Sequence, residues 1–520
     1  GEFISTDYDA YNAGDLGHRP YHSFYSSPEH APVLQANVWN ESDISKEGSH
    51  IFLRNDGQNG SSLSSPLIID ANDLTTVFMN RSFENIFDVR VQENLGKKYL
   101  TFWEGRRGDG ISDGYGLAYD ENYRLAYKVS AKGLRVRADL HEFAFTGNGT
   151  ALLLAVDHRK VDTSRWPGWR YGKKFWVLDE VFQEVDLETN EVLFSWRLMD
   201  HIDPMDSFER VAHDWDTYHM NSIQKTQDGN YLISIRHLHS IYLINGKTGD
   251  IMWTLGGKRN IFKELPSPDG YDEPLAPLLT MGWQHHARWV PNTNETEMTF
   301  FDNHHKITTH GECRPGQCSR GLHIRIDDTV SPPTAQILRE WFHPSQLQAQ
   351  SQGSVQPLSV TEDGSFDRVF IGWGRCPTFT EHDAVTGEAV MDVQFSPWHS
   401  EEIPDALDNY RAYKQDWVGK PWWTPSVVLR EGELGEEGEL EVYVSWNGAT
   451  EVRNWTVKGL VGRDEIDVRK GEQSLEILAS SRRTGFETRM TVNRTALQYL
   501  WAEALDGQGN ILGSTETLNL

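Results

Sequence analysis

The sequence predicts an all-β protein: a six-bladed β-propeller over residues 17–425, followed by a small C-terminal β-sandwich of immunoglobulin or fibronectin type over residues 426–520. Three observations predict it. A unit of about forty-odd residues recurs along the chain, and each unit reads as short apolar runs separated by turn residues. The composition then shifts after the Trp- and Pro-rich bridge WVGKPWWTP (Trp417–Pro425). Hydrophobic residues make up 38 % of the 520, and 19 Trp add bulk, enough apolar surface to exclude a disordered or fibrous chain.

Taken in order, residues 50–82 hold a partial unit (IFLRNDG, then PLIIDANDLTTVFM). Residues 91–130 supply YLTFW as a second strand and GLAYDENYRLAYKV as the third and fourth. Residues 139–196 run from DLHEFAFTGNGTALLLAV through an insertion to WVLDEVFQEVDLETNEVLFSW. Residues 217–255 turn at Asp228-Gly229, and residues 353–393 turn at Asp363-Gly364. Residues 283–342 fit with an insertion that carries two cysteines. Each unit is a four-stranded meander that cannot bury both faces alone, so the units must pack around an axis. Six are counted, with five or seven as neighbouring possibilities. Beyond the bridge, LEVYVSWNG, EVRNWTVKGL and LQYLWAEALD alternate as half-buried strands do, as a separate domain or as the completion of the propeller.

The longest apolar run, Ala151–Val156, is far short of the roughly 18–20 residues of a membrane helix. A formal charge of −27 repels phosphate backbones and anionic lipid, which argues against nucleic-acid and membrane-surface partners. Among three cysteines, Cys313 and Cys318 flank a Pro-Gly turn in CRPGQC that lets them pair as a short-loop disulfide. A zinc reading would need two further ligands. Acceptor triplets at Asn40, Asn59, Asn80, Asn148, Asn294, Asn454 and Asn493 point to a glycoprotein of the secretory pathway or the extracellular space. No signal peptide heads the chain, as in a mature protein, and Gly1-Glu2-Phe3 reads as a cloning scar that carries no weight in the fold prediction.

The first strand of a propeller blade faces the channel, so equivalent positions form a ring there. Aligning unit starts matches His141 (DLHEF), His219 (YHMNS), His285 or His286 (WQHHARW) and Gln356 (SVQPL). Aligning second-strand ends matches Trp103, Asp157-His158, Arg236, Asn303 and Trp373-Gly374. Imidazoles, a guanidinium, amides and indoles suit an aromatic, oxygen-rich small molecule. His219, His285 and Arg236 are the catalytic donor candidates. His141, Asn303, Gln356, Trp103, Trp283 and Trp373 are the binding candidates. Adjacent histidines of a strand point to opposite faces, so His285/His286 and His304/His305 make a poor metal site with Asp302, and no metal or other cofactor is assigned. Arg107-Gly108-Asp109 reads as a turn in a Gly-rich loop, and GRRGDGISDGYG lacks the GK[ST] of a phosphate loop.

DLHEF, FQEVD, YHMNS, WTLGG, QHHARW, FDNHH, FIGWG and SWNGAT together resemble the fungal secreted arylsulfotransferase-like proteins, distant relatives of the bacterial arylsulfate sulfotransferases. The resemblance runs from about Gly17 to the C-terminus and implies a six-bladed propeller with a site on the channel axis. The bacterial enzymes are similar to this chain at His219, His285, Asn303 and Arg325, and carry the sulfuryl group on a histidine of a later blade. There SQGSVQPLS offers Gln356 or Ser354, while a shift of one blade would bring in His343 or His382. Some fungal members resemble hetero-Diels–Alderases of tropolonic sesquiterpenoid biosynthesis. That implies cofactor-free cycloaddition of an aromatic o-quinone methide to a humulene-type terpene, with Trp283 and Trp373 as walls. Sulfuryl transfer between phenols and non-catalytic ligand binding are the alternatives.

Overall fold

Runs of β-branched and aromatic residues broken by turn residues make this a chain of short strands. Its α-helices, Tyr8–Ala13 and Leu198–His201, are brief. The computed structural model describes residues 2–56, 63–108, 111–166, 168–304, 311–398, 407–431, 438–462, 473–494 and 497–520. The protein is all-β. Tight turns set the hairpins: Gly229 and Gly364 take φ of 82° and 83°, where a Cβ would be strained.

Six sheets of four or five strands follow one another along the described chain between residues 35 and 415. The first pairs His50–Asp56, Ser64–Asp70 and Thr76–Met79, and the second runs from Ile86–Asn94 to Leu125–Val129. The third spans Phe143–Phe145 to Val192–Arg197, and the fourth Met220–Lys225 to Ile251–Leu255. The fifth spans His285–Trp289 to Thr334–Trp341, and the sixth Ser354–Leu358 to Ala389–Gln394. Two distant segments complete the set: Gln35–Trp39 adds the outer strand of the sixth sheet, and Tyr413–Gln415 the inner strand of the first.

Apolar clusters lie between consecutive sheets. Phe52, Ile68, Phe102 and Leu117 join the first two, and Phe87, Trp103, Phe143 and Leu153 the next two. Trp196, Phe182, Ile223 and Ile233 join third and fourth, while Leu243, Trp253, Phe300 and Leu322 join fourth and fifth. Phe301, Trp341, Val355 and Ile371 join fifth and sixth. Phe370, Phe379 and Met391 of the sixth then meet Ile51, Leu53 and Leu67 of the first. Burial of side chains this size contributes about 1.5–3 kcal/mol each, so packing between sheets holds the structure together.

Residues 426–520 form a three-stranded sheet, Ser426–Glu431 to Glu487–Asn493, and a second sheet built on Asn454–Gly462 and Leu497–Leu505. Val442, Val444, Trp455, Met490 and Leu500 form their shared core. The Tyr123 hydroxyl donates to the Gly448 carbonyl at 2.7 Å and anchors this part to the second sheet. Glu2 is built into the fold: its carboxylate accepts the Thr76 and Phe486 backbone N–H groups at 2.8 and 2.9 Å.

Cys313 and Cys318 form a disulfide with Cα atoms 5.3 Å apart. Cys376 is a buried thiol pushed up to about 12 by burial. No helix of the described residues is long and apolar enough to cross a membrane. Asn40, Asn80, Asn148, Asn294 and Asn493 are exposed and Asn454 is half-buried, whereas Asn59 lies outside the described residues.

Candidate active site

Where the second, fourth and fifth sheets begin their first strands, the chain bulges. The register slips between Phe87 and Arg90, between Met220 and Ser222, and between His285 and Arg288. Asp88, His219 and His286 take φ of 61°, 58° and 59° at these places, a conformation costly for residues with a Cβ. Such bulges re-aim side chains, here toward a common point. A cavity of about 170 Å³ opens there, lined by His141, His219, Arg236, His285, Arg107, Arg375, Tyr410 and Phe87, with Ser112, Asp139 and Gln352.

The three imidazoles are held differently. His141 donates Nδ1–H to Asp139, which also accepts the His141 backbone N–H at 3.0 Å and the Ser112 hydroxyl. Burial pushes the Asp139 carboxyl up, but His141 and Ser112 outweigh it and hold it below the usual range. Among the described residues His141 Nε2 has no hydrogen-bond partner, and its ring stands 4.7 Å from that of His219.

His219 donates Nδ1–H to Asp216 at 2.5 Å, while Arg236 Nη1 donates to His219 Nε2 at 3.0 Å. A guanidinium only donates, so this imidazole is neutral. Burial and the Arg236 charge accordingly hold it well below the ordinary histidine value. His285 Nδ1 faces the Trp283 carbonyl and Asn303 Oδ1, each at 2.7 Å, and Nε2 accepts the Gln352 N–H at 3.2 Å. Burial and Arg236 depress it likewise. Arg236 lies 3.5 Å over the Trp283 ring, its Nε has no partner among the described residues, and burial brings it down to about 10.

Beneath the cavity sits a buried ion cluster. Glu142 accepts from Arg90 at 3.1 Å, Arg411 at 3.0 Å, Arg288 at 2.7 Å and the Ile223 N–H at 2.9 Å. Asp88 pairs with Arg411 at 3.0 Å and Arg90 at 3.3 Å, leaving three guanidinium groups facing two carboxylates. Arg411 also donates to the His141 carbonyl at 3.2 Å, which ties the cluster to the site above.

The structure therefore brings His141, His219, His285 and Arg236 together. Asn303 stands behind His285 and Trp283 behind Arg236. The remaining candidates lie elsewhere. Trp103 is packed between sheets with its indole N–H on the Ala138 carbonyl at 2.9 Å. Trp373 is equally buried, bonded to Thr380 at 2.8 Å. Gln356 exchanges hydrogen bonds with the Lys414 backbone at 2.8 and 2.9 Å and so zips the inner strand of the first sheet. At these positions the pleat aims the side chain at a neighbouring strand or sheet rather than at the cavity.

Arg325 pairs with Glu297 at 2.7 Å, and Ser354 Oγ donates to the Ala412 carbonyl at 3.1 Å. His343 is bonded to Asp392 at 3.2 Å and His382 to Thr380 at 2.7 Å; none of these four lines the cavity. His305 and Asp109 lie outside the described residues. Asp216, His219 and His237 place possible ligand atoms within 4.8 Å of one another. However, His237 Nδ1 is spent on the Asp216 carbonyl at 2.7 Å and a guanidinium abuts His219, a setting unsuited to a cation.

Arg107, Ser112, Tyr410 and Arg375 escaped the sequence reading. Arg107 was visible in the Gly-rich RGD loop. Tyr410 lies outside every repeat, so no periodicity marks it.

No curated protein matches the chain. Among solved structures, a Bacteroides caccae protein of unknown function is 11 % identical with a TM-score of 0.39, over 71 % of this chain and 100 % of its own. The Cps50 (Swd1) β-propeller domain of Myceliophteria thermophila is 10 % identical with a TM-score of 0.33, over 78 % and 95 %. Hydrazine synthase of Kuenenia stuttgartiensis is 9 % identical with a TM-score of 0.30, over 67 % and 82 %. The family model described as arylsulfotransferase (ASST) matches residues 90–396, which takes in the second to sixth sheets and nearly every residue of the cavity, and the chain belongs to that family.

Proposed function

We propose that the cavity binds the sulfuryl group of an aryl sulfate and transfers it to a phenol, with His141 as the carrier. Family membership and the cationic lining support this reading, and the open Nε2 of His141 is the observation that carries it. His219 and His285 have both ring nitrogens engaged, so each is poised to orient rather than attack. His141, with Nδ1–H fixed on Asp139, keeps its lone pair at Nε2. In the first step Nε2 forms an N–S bond as the aryl O–S bond breaks and a phenolate leaves. In the second, an acceptor phenolate attacks sulfur and frees the imidazole. Arg236 faces the oxygens on which charge gathers in both steps.

Cycloaddition fits less well. A volume of about 170 Å³ lies below the roughly 300–1,000 Å³ of sites that enclose drug-sized ligands, and the lining is basic where two apolar partners would need apolar walls. The same proposal takes the six sheets as a six-bladed propeller over residues 17–425 and residues 426–520 as a β-sandwich. It also takes the exposed acceptor asparagines as glycosylated in a secretory compartment.

Incubation with 4-nitrophenyl sulfate followed by intact-mass analysis tests the chemistry. The expected result is an adduct of one SO₃, mapped to the peptide holding His141, with equimolar nitrophenolate released and both lost in His141→Ala. Absence of adduct and of nitrophenolate in the unmodified protein would rule the reading out.

A further inference from the structure

At the mouth of the cavity the charges do not balance. Arg54 pairs with Asp56 at 2.9 Å and with Asp408. Arg375 donates to the same Asp408 at 2.9 Å, and Gln352 does so at 3.0 Å. Arg107 lies over the Phe87 ring at 5.4 Å, sharing that ring with Arg54 at 4.3 Å, and makes no ion pair among the described residues. Among the described residues three guanidinium groups thus face two carboxylates, Asp56 and Asp408, and the unmatched one lines the cavity. A sulfate monoester carries one negative charge, which the inner set of Arg236 and the histidines already answers. Arg54 is buried while Arg107 and Arg375 are exposed, and like charges gathered at one mouth repel one another unless an anion joins them.

We infer that the aryl group of the substrate carries a second anion, a carboxylate, which Arg107 binds at the mouth beside Arg375. This rests on the sulfuryl group sitting at the inner histidines. A planar carboxylate matches the guanidinium fork through two parallel N–H···O bonds, and the aromatic ring between the two anions would pass Phe87 and Tyr410 of the cavity wall. Arg107, which in the sequence opens the Arg107-Gly108-Asp109 turn and in the structure ends the strand Lys97–Arg107, would then select anionic phenols over neutral ones.

Sulfonates test this without turnover, because their C–S bond does not transfer. Calorimetry at low salt compares benzenesulfonate with 4-sulfobenzoate on the full chain. The expected result is about tenfold tighter binding of 4-sulfobenzoate. Arg107→Gln should reduce that ratio to under about twofold and leave benzenesulfonate unchanged, while Arg107→Lys should retain part of it. Equal binding of the two probes by the unmodified protein would overturn the inference and leave the sulfuryl reading standing. Equal weakening of both probes in Arg107→Gln would assign the residue to the sulfonate and overturn it too. Failure of both probes to bind would instead take down the sulfuryl reading and this inference with it.

Discussion

Which lone pair is free decides what each histidine can do. At the residue scale that choice is made by neighbours. Asp139 fixes the His141 tautomer that leaves Nε2 open, and Ser112 fixes Asp139. In Asp139→Asn the amide can donate to Nδ1, which stabilises the other tautomer and places the proton on the attacking nitrogen. Single-turnover release of nitrophenolate should slow by about 10²–10⁴-fold, while calorimetric binding of benzenesulfonate stays within about twofold. A variant that released nitrophenolate at the parental rate would exclude His141 as carrier. Much of this candidate site was legible in the chain, because His141, His219 and His285 are polar residues at matching unit starts, and Arg236 at a second-strand end, in repeats that otherwise read apolar. Trp103 and Trp373 were misread for a physical reason. Repeat alignment shows how far along a strand a residue lies, while the pleat and the local register decide which way a side chain points.

Among the elements, the strand units were legible from turn residues and alternation, but the closing segments were not. Gln35–Trp39 and Tyr413–Gln415 are short, belong to no repeat, and find their sheets through tertiary pairing across the whole chain. What holds the elements in register beneath the site was equally hidden. Glu142 of the third sheet accepts from Arg90 of the second, Ile223 of the fourth, Arg288 of the fifth and Arg411 of the closing segment. Three guanidinium groups hold its carboxyl below the usual range against the upward push of burial. Glu142→Gln removes the shared counter-charge and leaves them facing Asp88 alone. Unpairing buried charges in this way costs about 3–5 kcal/mol, so the urea midpoint should fall with the slope retained. Arg411 also holds the His141 carbonyl, so sulfuryl transfer should fall in fully folded protein as well. A variant as stable as the parent would show that the cluster does not tie the sheets.

Over the whole molecule, the concentration of buried imidazoles makes stability depend on pH in a direction that can be worked out. Burial holds His219, His237, His285 and His286 well below their ordinary value and brings His382 to about 4. In the unfolded chain these rings titrate near 6.5. Below that pH the unfolded state takes up protons the folded state refuses, so stability falls as pH drops, by up to about 1.4 kcal/mol per pH unit for each ring. Lower still, Asp139, Asp392 and Asp408, all held below the usual carboxylate range, add a loss of the same sign. Two effects oppose this. Burial raises Glu2, Asp179 and Glu180, the last also through the Asp216 charge, and protonation relieves the self-repulsion of a chain with formal charge −27. The second is a surface effect that about 0.15 M salt screens beyond roughly 8 Å, whereas buried rings are screened far less. Urea midpoints in that salt should therefore be flat above pH 7 and decline steadily from pH 6.5 toward 4. A rising or level profile across that window would mean that these histidines are charged in the folded protein, and that the neutral donors and acceptors assigned to the cavity are wrong.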